Sequence, residues 1–407
     1  MKKNCIVAQS GGPTVAINAS LAGVVEGVIN SDKFDKIYGS IHGIQGVLKN
    51  HFLDLSNSSE EFIKELSNSP AMYLGSCRFK LPDASKDNHT YDTIFKVFKD
   101  MNIGAFFYIG GNDSMDTVDK LSKYAKQIGS DILIAGIPKT IDNDLVVTDH
   151  TPGFGSAAKY IATSMREMAY DTYIYDLESV LIVEIMGRDA GWLTAAAALA
   201  RTEFSQAPHL IYLPETNFDE NQFLEDVRKL LPIKKNVIIA VSEGIHDKDG
   251  NYVSATSAVA DKFGHAQLSG TGKYLENLIS QKLGVKVRSV EINVLQRSAA
   301  HMASKTDLEE AFLLGKKSVE FVEQGYSEFM TIIERISSNP YTYQISHSPV
   351  VDIANKAKSV PREWINENGN DVTDEMIEYL KPLICGQIDL SYTDGIPSYP
   401  DIHHLTS

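Results

Sequence analysis

Short apolar runs rich in β-branched and aromatic residues recur along the chain between longer segments that carry apolar residues at helical spacing. The runs occupy residues 4–9, 104–109, 132–137, 180–186, 209–213, 236–242 and 286–292. Short runs that alternate with amphipathic helices are typical of βαβ units, in which helices cover both faces of a parallel sheet. The pattern therefore predicts an α/β fold.

Three helices are predicted over residues 14–29, 155–175 and 307–324. The last begins with Asp-Leu-Glu-Glu, which places acidic residues where the helix dipole favours them. Candidate domain boundaries lie at 151–153 and 304–306. The segment from Ser348 to the C-terminus is rich in turn-forming pairs, and we expect it to be irregular and to wrap the surface, with His403-His404 in a surface tail.

Length, charge and cysteine content restrict the class of function. The 407 residues are enough for two or three domains, and the formal net charge of −15 at pH 7 disfavours a nucleic acid or an anionic membrane as the main partner. Cys5, Cys77 and Cys385 support neither a disulfide framework nor a zinc ribbon. The chain also shows no signal peptide and no apolar stretch long enough to span a bilayer, so we expect a cytoplasmic protein.

Two turns contain paired glycines between a predicted strand and a helix. The first is Gln9–Thr14, with Gly11-Gly12, and the second is Gly110–Ser114, with Gly110-Gly111. Glycine lets the backbone approach a ligand closely, and a helix start offers free N–H groups to an anion. Either turn alone could simply be a tight turn. Because ligands bind beyond the carboxyl ends of parallel strands, the two together predict a polyphosphate site.

A third segment, Pro138–Asp144, follows the run 132–137 and places a cation, a hydroxyl and two carboxylates at the end of a strand. One interpretation is a polar loop whose side chains only cap backbone groups. The other is catalytic. Asp142 and Asp144 could divide the work, one accepting a proton from an attacking hydroxyl and the other orienting the base or a metal-bound oxygen.

Together these motifs resemble the phosphofructokinase family, in the same order and at similar spacing, over roughly residues 1–330. The motifs that carry the resemblance are Gly11-Gly12, Gly110–Ser114, Pro138–Asp144, Met186-Gly187-Arg188, Glu243-Gly244 and Gln296-Arg297. The resemblance implies two similar Rossmann-like domains with mainly parallel sheets and an active-site cleft between them. It predicts a phosphoryl-donor domain at 1–153 plus about 305–355, a fructose 6-phosphate domain at 154–304, and a C-terminal extension on the surface at about 356–407.

The resemblance also implies a role for each matching residue. Asp142 resembles the general base that takes the proton from the 1-hydroxyl of the sugar, and Thr140 and Asp144 resemble neighbouring substrate contacts. The predicted sugar-phosphate site consists of Met186, Gly187, Arg188, Glu243 and, on the 6-phosphate, Arg297. The predicted donor site consists of Gly11, Gly12, Arg78, Gly111, Asp113 and Ser114, with Lys139 as a catalytic cation.

The chain departs from the family at several positions. The usual Mg²⁺ ligand of the second glycine turn is an aspartate, whereas here it is Asn112, whose amide oxygen can coordinate Mg²⁺ but adds no charge. Ser179 replaces an arginine that contacts the 6-phosphate of a neighbouring subunit in bacterial ATP-dependent enzymes. A second arginine after Arg297 is missing, and Lys305 or His301 is the nearest candidate. We therefore expect a rearranged 6-phosphate site without the allosteric control of those enzymes.

Asp113 and Lys139 bear on the phosphoryl donor, because ATP-using relatives have glycine at both positions. The carboxylate of Asp113 would repel the α-phosphate of a nucleotide, and Lys139 would neutralise charge on a short donor. In the alternative interpretation, Asp113 only caps its helix and Lys139 is a solvated loop cation. The joint replacement favours inorganic pyrophosphate and, within the family, the pyrophosphate-dependent enzymes.

The sequence thus predicts an enzyme that reversibly transfers a phosphoryl group from pyrophosphate to fructose 6-phosphate, with Mg²⁺ as cofactor and as a homodimer or homotetramer. Three alternatives stay open at this point. They are an ATP-dependent 6-phosphofructokinase, a non-catalytic nucleotide-binding relative, and a more distant kinase such as a NAD or diacylglycerol kinase. The paired aspartates disfavour the second, and the match at Met186–Arg188, Glu243 and Arg297 disfavours the third.

Overall fold

The computed structural model describes residues 2–77, 79–253 and 270–405. Within these residues the strands are β1 (Lys3–Gln9), β2 (Phe34–Ser40), β3 (Phe52–Asp54), β4 (Ile103–Gly110), β5 (Leu133–Pro138), β6 (Ser179–Ile185), β7 (Leu210–Tyr212), β8 (Asn236–Ser242), β9 (Lys286–Glu291), β10 (Phe329–Ser338), β11 (Tyr341–Pro349), β12 (Tyr392–Thr393) and β13 (Ile396–Pro397).

The α-helices of the same residues are α1 (Ile17–Ile29), α2 (Ile44–Lys49), α3 (Glu60–Ser67), α4 (Asn88–Asp100), α5 (Asn112–Gln127), α6 (Phe154–Tyr173), α7 (Trp192–Ala195), α8 (Glu220–Lys234), α9 (Thr271–Leu283), α10 (Leu295–Ser298), α11 (Lys305–Glu323) and α12 (Asp374–Leu380). Short 3-10 helices cover Ala196–Ala200, Ala300–Met302, Val350–Asp352, Arg362–Trp364, Lys381–Ile384 and His403–Leu405. Each predicted strand run contains a strand, and the three predicted helices correspond to α1, α6 and α11. The hydrophobic pattern did not predict β2, β3, β10 or β11, which lie at the two ends of one sheet and carry polar residues on exposed positions.

The chain forms two compact units. Unit 1 comprises Met1–Ser156, Arg297–Ala357 and Cys385–Ser407, and unit 2 comprises Ala157–Gln296 and Lys358–Ile384. These boundaries differ from the predicted domains at three places, of which the first is that residues 154–156 lie in unit 1. Residues 297–304 lie in unit 1, where the N–H of Ser304 donates to the hydroxyl of Ser156 at 3.1 Å. The C-terminal extension is divided between the units.

Unit 1 is built on a sheet with the strand order β11-β10-β5-β4-β1-β2-β3. The pairs from β2 through β10 are parallel, and β3 and β11 add antiparallel edges. The chain runs from β1 to β2 on one side and returns through β4 on the other. The order therefore reverses between β1 and β4, which is where open α/β sheets bind ligands.

Helices α1 and α11 pack unusually closely in unit 1. A Cβ atom on Gly23 would lie 2.0 Å from the carbonyl oxygen of Phe312, and one on Gly315 would lie 2.1 Å from that of Ser20. The two backbones therefore touch where these residues lack side chains. This contact fixes the position of α11, whose first turns carry two buried acidic residues discussed below.

Unit 2 contains a parallel sheet with the strand order β7-β8-β6-β9. Part of the C-terminal extension completes this unit. The ring of Trp192 packs against those of Trp364 and Tyr379, with centroids 6.1 and 5.5 Å apart, and Arg201 pairs with Asp371 at 2.8 Å. Segment 358–384 is thus packed into unit 2.

The last segment packs in unit 1. The side chain of Asn68 donates to the carbonyl of Asp389 at 3.3 Å, and Nε2 of His404 donates to the carbonyl of Tyr73 at 2.6 Å. His404 is half-buried on the ring of Tyr73, so the predicted surface tail is a packed segment at this residue. The predicted α/β class with two Rossmann-like domains and mainly parallel sheets is confirmed. None of the helices in the described ranges has the length and apolar character that a bilayer span requires.

Candidate active site

Three loops of unit 1 follow adjacent parallel strands. Gln9 at the end of β1 pairs with Ile109 in β4, and Gly110 pairs with Pro138 in β5. The glycine turn after β1, the glycine turn after β4 and the 139–144 segment after β5 therefore start side by side at one edge of the sheet. The N–H of Lys139 donates to the carbonyl of Gly110 at 3.0 Å, which joins the second and third loops.

Two cations lie against the first glycine turn. A Cβ atom on Gly11 would lie 2.9 Å from Nζ of Lys139, and one on Gly12 would lie 3.4 Å from Nη1 of Arg297. Gly11 also has a φ of +82°, a left-handed conformation that favours glycine. The backbone at this turn thus leaves room for an ammonium and a guanidinium, a combination suited to a polyanion.

Lys139 is buried, with 2% of its surface exposed. Burial lowers the pKa of Lys139 to about 8, Asp142 and Asp144 act in the opposite direction, and Arg297 lowers the pKa further. The solvated loop cation considered as an alternative is therefore excluded. A buried ammonium beside half-buried carboxylates is a strong local charge in a region of low dielectric.

The catalytic segment is held by short-range hydrogen bonds. The N–H of Asp142 donates to Oγ1 of Thr140 at 3.1 Å, and the N–H of Thr140 donates to the carbonyl of Pro152 at 3.2 Å. The buried Asn143 accepts from the N–H of Thr151 at 3.1 Å, and the hydroxyl of Thr151 donates to the carbonyl of Thr140 at 2.7 Å. Residues 140–143 and 151–153 are therefore joined by several hydrogen bonds, which hold the backbone that carries Asp142.

Helix α5 begins directly after the second glycine turn. Its N-cap is Gly111, which supplies no side-chain cap, and Asp113 lies exposed in the first turn. The interpretation of Asp113 as the capping residue is therefore wrong. Ser114 is buried, and a Cβ atom on Gly110 would lie 1.9 Å from its hydroxyl oxygen, so this side chain fills the space beneath the turn.

Both polar atoms of the Asn112 side-chain amide form hydrogen bonds within unit 1. Its Nδ2 donates to the carbonyl of Lys356 at 2.6 Å, and its Oδ1 accepts from the N–H of Asn355 at 2.6 Å. Among the described residues, no group of three or more His, Cys, Asp or Glu side chains is arranged to hold a metal ion. Because both polar atoms of the Asn112 amide are already hydrogen-bonded, a Mg²⁺ ion at this turn would be held mainly by phosphate oxygens and water.

In unit 2, the predicted sugar-phosphate residues follow the neighbouring strands β6 and β8. The N–H of Glu243 donates to the carbonyl of Ile185 at 2.9 Å, and Oε1 of Glu243 accepts from the N–H of Gly187 at 3.4 Å. The hydroxyl of Ser242 donates to the carbonyl of Gly187. The structure therefore joins the Met186–Arg188 turn to Glu243.

Gly244 and Arg188 are in direct backbone contact in the same unit. A Cβ atom on Gly244 would lie 1.9 Å from the carbonyl oxygen of Arg188, so glycine is required there. The Nε atom of Arg188 is buried and has no hydrogen-bond partner in the part of the chain that the structure describes. An unpaired buried N–H of a guanidinium is costly, and it is the donor that an anionic ligand would satisfy.

Other predicted residues lie elsewhere. Arg297 lies in unit 1 beside Gly12, although the predicted boundaries placed it in the second domain. Ser179 starts β6, at the opposite end of the strand from Met186, and Lys305 pairs with Glu309 at 3.6 Å. Arg78 lies outside the described residues, and the individual ligand roles of the site residues stay predictions.

Sequence reasoning missed the buried side chains that support the catalytic segment, namely Asn143, His150, Asp307 and Glu310. The sequence predicts only an interaction with the helix dipole for Asp307, but its carboxyl accepts from the N–H groups of Gly153 and Ser156 at 2.9 and 3.0 Å. Burial raises the pKa of Asp307 to about 6. The signal for such residues in a sequence is weak, because polar residues near a turn or a helix start are ordinarily exposed.

Comparisons with known proteins show which family and which relatives this chain resembles. The phosphofructokinase family profile matches residues 4–322. The chain is 41% identical over 405 residues, 99% of this chain and 96% of the relative, to a protein of Xanthomonas campestris pv. campestris named pyrophosphate–fructose 6-phosphate 1-phosphotransferase. A protein of the same name from Halomonas elongata is 41% identical over 397 residues, 97% of this chain and 94% of that protein. The crystal structure of pyrophosphate-dependent phosphofructokinase from Marinobacter aquaeolei matches with a TM-score of 0.88 and 37% identity, covering 98% of this chain and 95% of that one.

Proposed function

The chain belongs to the phosphofructokinase family, and we propose that it transfers a phosphoryl group reversibly from inorganic pyrophosphate to the 1-hydroxyl of fructose 6-phosphate. The product is fructose 1,6-bisphosphate, and the reaction serves glycolysis and gluconeogenesis. The reaction is freely reversible because the phosphoanhydride that is cleaved carries no nucleotide.

The buried ammonium of Lys139 against Gly11 is the observation that carries the proposal. Phosphoryl transfer depends mainly on in-line positioning and on neutralising charge on the transferring and leaving groups. Lys139 lies where the loops after β1, β4 and β5 meet, so its charge acts directly on a short donor bound by the glycine turns. A buried cation stabilises such charge more strongly than a solvated one.

Asp142 is the proposed general base. Its carboxylate accepts the proton of the 1-hydroxyl as that oxygen attacks the near phosphorus of pyrophosphate. The bond to the bridging oxygen breaks, and the second phosphate leaves as inorganic phosphate. The hydrogen bonds of Thr140 and Asn143 hold the backbone that carries Asp142 during this step.

The sugar phosphate is proposed to bind through Met186, Gly187, Arg188, Glu243 and Arg297. The unpaired Nε of Arg188 supports an anionic ligand at the turn, and Glu243, which already accepts from Gly187, would accept from sugar hydroxyls. Arg297 offers a planar fork to a phosphate.

Asp113 disfavours ATP. It is exposed in the first turn of α5 and does not cap that helix. A carboxylate about 4 Å from an α-phosphate would repel it by roughly 4 kcal/mol at an effective dielectric constant near 20, which is close to a thousandfold in affinity. Pyrophosphate has no α-phosphate and avoids this repulsion.

The test is to measure kcat/KM with fructose 6-phosphate for both donors in the native enzyme, Asp113→Gly and Asp113→Asn. The native enzyme is expected to use pyrophosphate, and Asp113→Gly is expected to gain ATP-dependent activity. Asp113→Asn is the matched control, because it removes the charge and keeps the volume, so its gain measures repulsion alone. A native preference for ATP would overturn the proposal, and a glycine variant without ATP activity would overturn the role of Asp113.

Mg²⁺ is the proposed cofactor, held by pyrophosphate oxygens and water with Asp144 as the protein carboxylate, where it would neutralise phosphate charge. Activity in the presence of a chelator and after Mg²⁺ is restored tests this.

We also propose a cytoplasmic homodimer or homotetramer. In support, none of the three cysteines, all of them in the described ranges, forms a disulfide, and Tyr170 of α6 and Ile174 just after this helix are 71% and 70% exposed. Light scattering that gives a mass near the 44.9 kDa of one chain would contradict the oligomer.

A further inference from the structure

His150 is a buried histidine of unit 1 that none of the proposed steps uses. Its side chain is 1% exposed, with Nδ1 2.7 Å from Oδ2 of Asp149 and Nε2 2.6 Å from Oε2 of Glu310. A neutral imidazole has one N–H, so it could donate to only one of these carboxylates, and its other nitrogen would face an acceptor. The protonated ring donates to both.

The surroundings of His150 balance its charge. Arg335 of β10 donates to Asp149 from Nε and Nη2 at 3.1 and 2.9 Å, and the hydroxyl of Tyr341 in β11 donates to Glu310. Although burial alone would lower the pKa of His150, Glu310 and Asp149 raise it to about 9. The charge of Glu310 also raises the pKa values of two further titratable groups, Asp307 and Tyr343. Two cations and two carboxylates form a neutral, hydrogen-bonded cluster that resists displacement, since removing one member leaves an unpaired buried charge.

The cluster connects to the catalytic segment through the backbone. His150 immediately precedes Thr151, whose N–H and hydroxyl bind Asn143 and the carbonyl of Thr140. Helix α11 holds the same stretch at a second point, where Asp307 accepts from the N–H of Gly153 at 2.9 Å. A movement of residue 150 would therefore be transmitted to residues 140–143.

We propose that His150 is a positioning residue, a buried imidazolium that fixes Thr151–Gly153 to α11 and so holds Asp142 in the orientation in which it accepts the proton of the sugar. This inference rests on the proposed role of Asp142 as the base. Because a side chain misplaced by about 1 Å can cost up to roughly a hundredfold in rate, the cluster acts on kcat rather than on substrate binding. The positioning is lost as pH rises through about 9, where His150 loses its proton.

The experiment compares His150→Gln, Glu310→Gln and Tyr341→Phe with the native enzyme in kcat, both KM values and the melting temperature. His150→Gln and Glu310→Gln are expected to lower kcat by at least about tenfold while each KM changes by less than about twofold. Tyr341→Phe is the matched control, because it removes a hydrogen bond to the same carboxylate and leaves all four charges. Its kcat is expected to stay native even if it melts earlier. Should His150→Gln fail to fold, Glu310→Gln still tests the proposal.

A double variant separates this inference from the proposed function. In the Asp142→Ser background, adding His150→Gln is expected to cause no further loss of kcat, because the histidine acts through Asp142. A native kcat in folded His150→Gln or Glu310→Gln would overturn the positioning role, and so would a full additional loss in the double variant. Native turnover in Asp142→Ser alone would instead overturn the assignment of the base. The ¹⁵N shifts of the His150 ring, assigned by comparison with His150→Gln, are expected to report an imidazolium at pH 8, and a neutral ring there would also overturn the proposal.

Discussion

The two units hold their candidate binding loops by different means. In unit 1, the 139–144 segment carries a buried cation and two carboxylates. The adjoining 150–153 stretch, which is hydrogen-bonded to this segment, is held by charged groups such as His150 and Asp307. In unit 2, the Met186–Arg188 turn is fixed by close backbone contacts, above all between Gly244 and the carbonyl of Arg188.

The difference reflects what each loop has to do. A loop that stabilises developing charge needs dipoles and charges that are already oriented, because reorienting them during the reaction costs free energy. A turn that receives a phosphate ester needs a fixed shape, which close packing supplies. Changes of charge should therefore affect the 139–144 segment of unit 1 most strongly, and changes of volume should affect the Met186–Arg188 turn of unit 2.

The largest expected effect is on turnover. Asp142→Ser is expected to lower kcat by roughly 10²- to 10⁴-fold, because a general base contributes about that much, while binding of fructose 6-phosphate stays largely intact. Steady-state kinetics and calorimetric binding check this. Asp131→Ser, in which an exposed aspartate is lost, is the control and should turn over normally. Near-native turnover of Asp142→Ser would remove this residue from the mechanism.

Arg297→Ala tests which substrate uses the guanidinium beside Gly12. We expect the KM for fructose 6-phosphate to rise by about 30- to 100-fold with a smaller change in kcat, because a bound phosphate loses a charge-assisted partner in both ground and transition states. The exposed Arg288 of unit 2 provides the control, Arg288→Ala, with no expected change. An unchanged KM for fructose 6-phosphate would contradict the role, and a rise confined to pyrophosphate would assign Arg297 to the donor.

Gly244→Ala tests the volume dependence of unit 2. The added methyl group would overlap the carbonyl of Arg188, so the backbone must move, and we expect a loss of about 1–3 kcal/mol in the free energy of unfolding. Gly111→Ala is the matched control in unit 1, because its nearest atom is 3.4 Å away and its φ of −89° suits alanine. Denaturant-induced unfolding measures the free energy of unfolding of both variants and of the native protein. Equal stability of the two variants would refute the argument for a rigid turn.

The smallest expected effect is a gain in stability. The folded chain binds the Lys139 proton with a pKa of about 8, below the ordinary value of 10.5, so below pH 8 the buried charge costs stability. Lys139→Met is therefore expected to raise the melting temperature by a few degrees at pH 7 while abolishing most activity, and the gain should shrink as pH rises from 8 towards 10.5. Lys305→Met, at an exposed ion pair, should show no such gain. A gain that does not vary with pH would contradict the burial argument.

The sequence alone determined much of the fold and the identity of the site. Strong apolar runs such as β4, which is buried along its whole length, can be predicted as strands from the sequence, because both faces of a central parallel strand exclude polar residues. The motifs after β1, β4 and β5 were readable because parallel topology brings the carboxyl ends of neighbouring strands together. Strands β10 and β11 were not predicted, since the exposed positions of the edge strand β11 and of the second half of β10 tolerate polar residues.

Only the tertiary structure decided which polar side chains are buried and what they face. Lys139 and Asp113 both look like loop charges in the sequence, yet Lys139 is 2% exposed and Asp113 is exposed at an uncapped helix start. Likewise, His150 and Glu310 are 160 positions apart and lie within hydrogen-bond distance only in the folded chain, where Asp149 is hydrogen-bonded to Ile333 of β10 and Gly153 to Asp307 of α11. The physical reason is that hydrophobic periodicity records local geometry, whereas the protonation and orientation of a buried ionisable group depend on partners that distant parts of the chain supply.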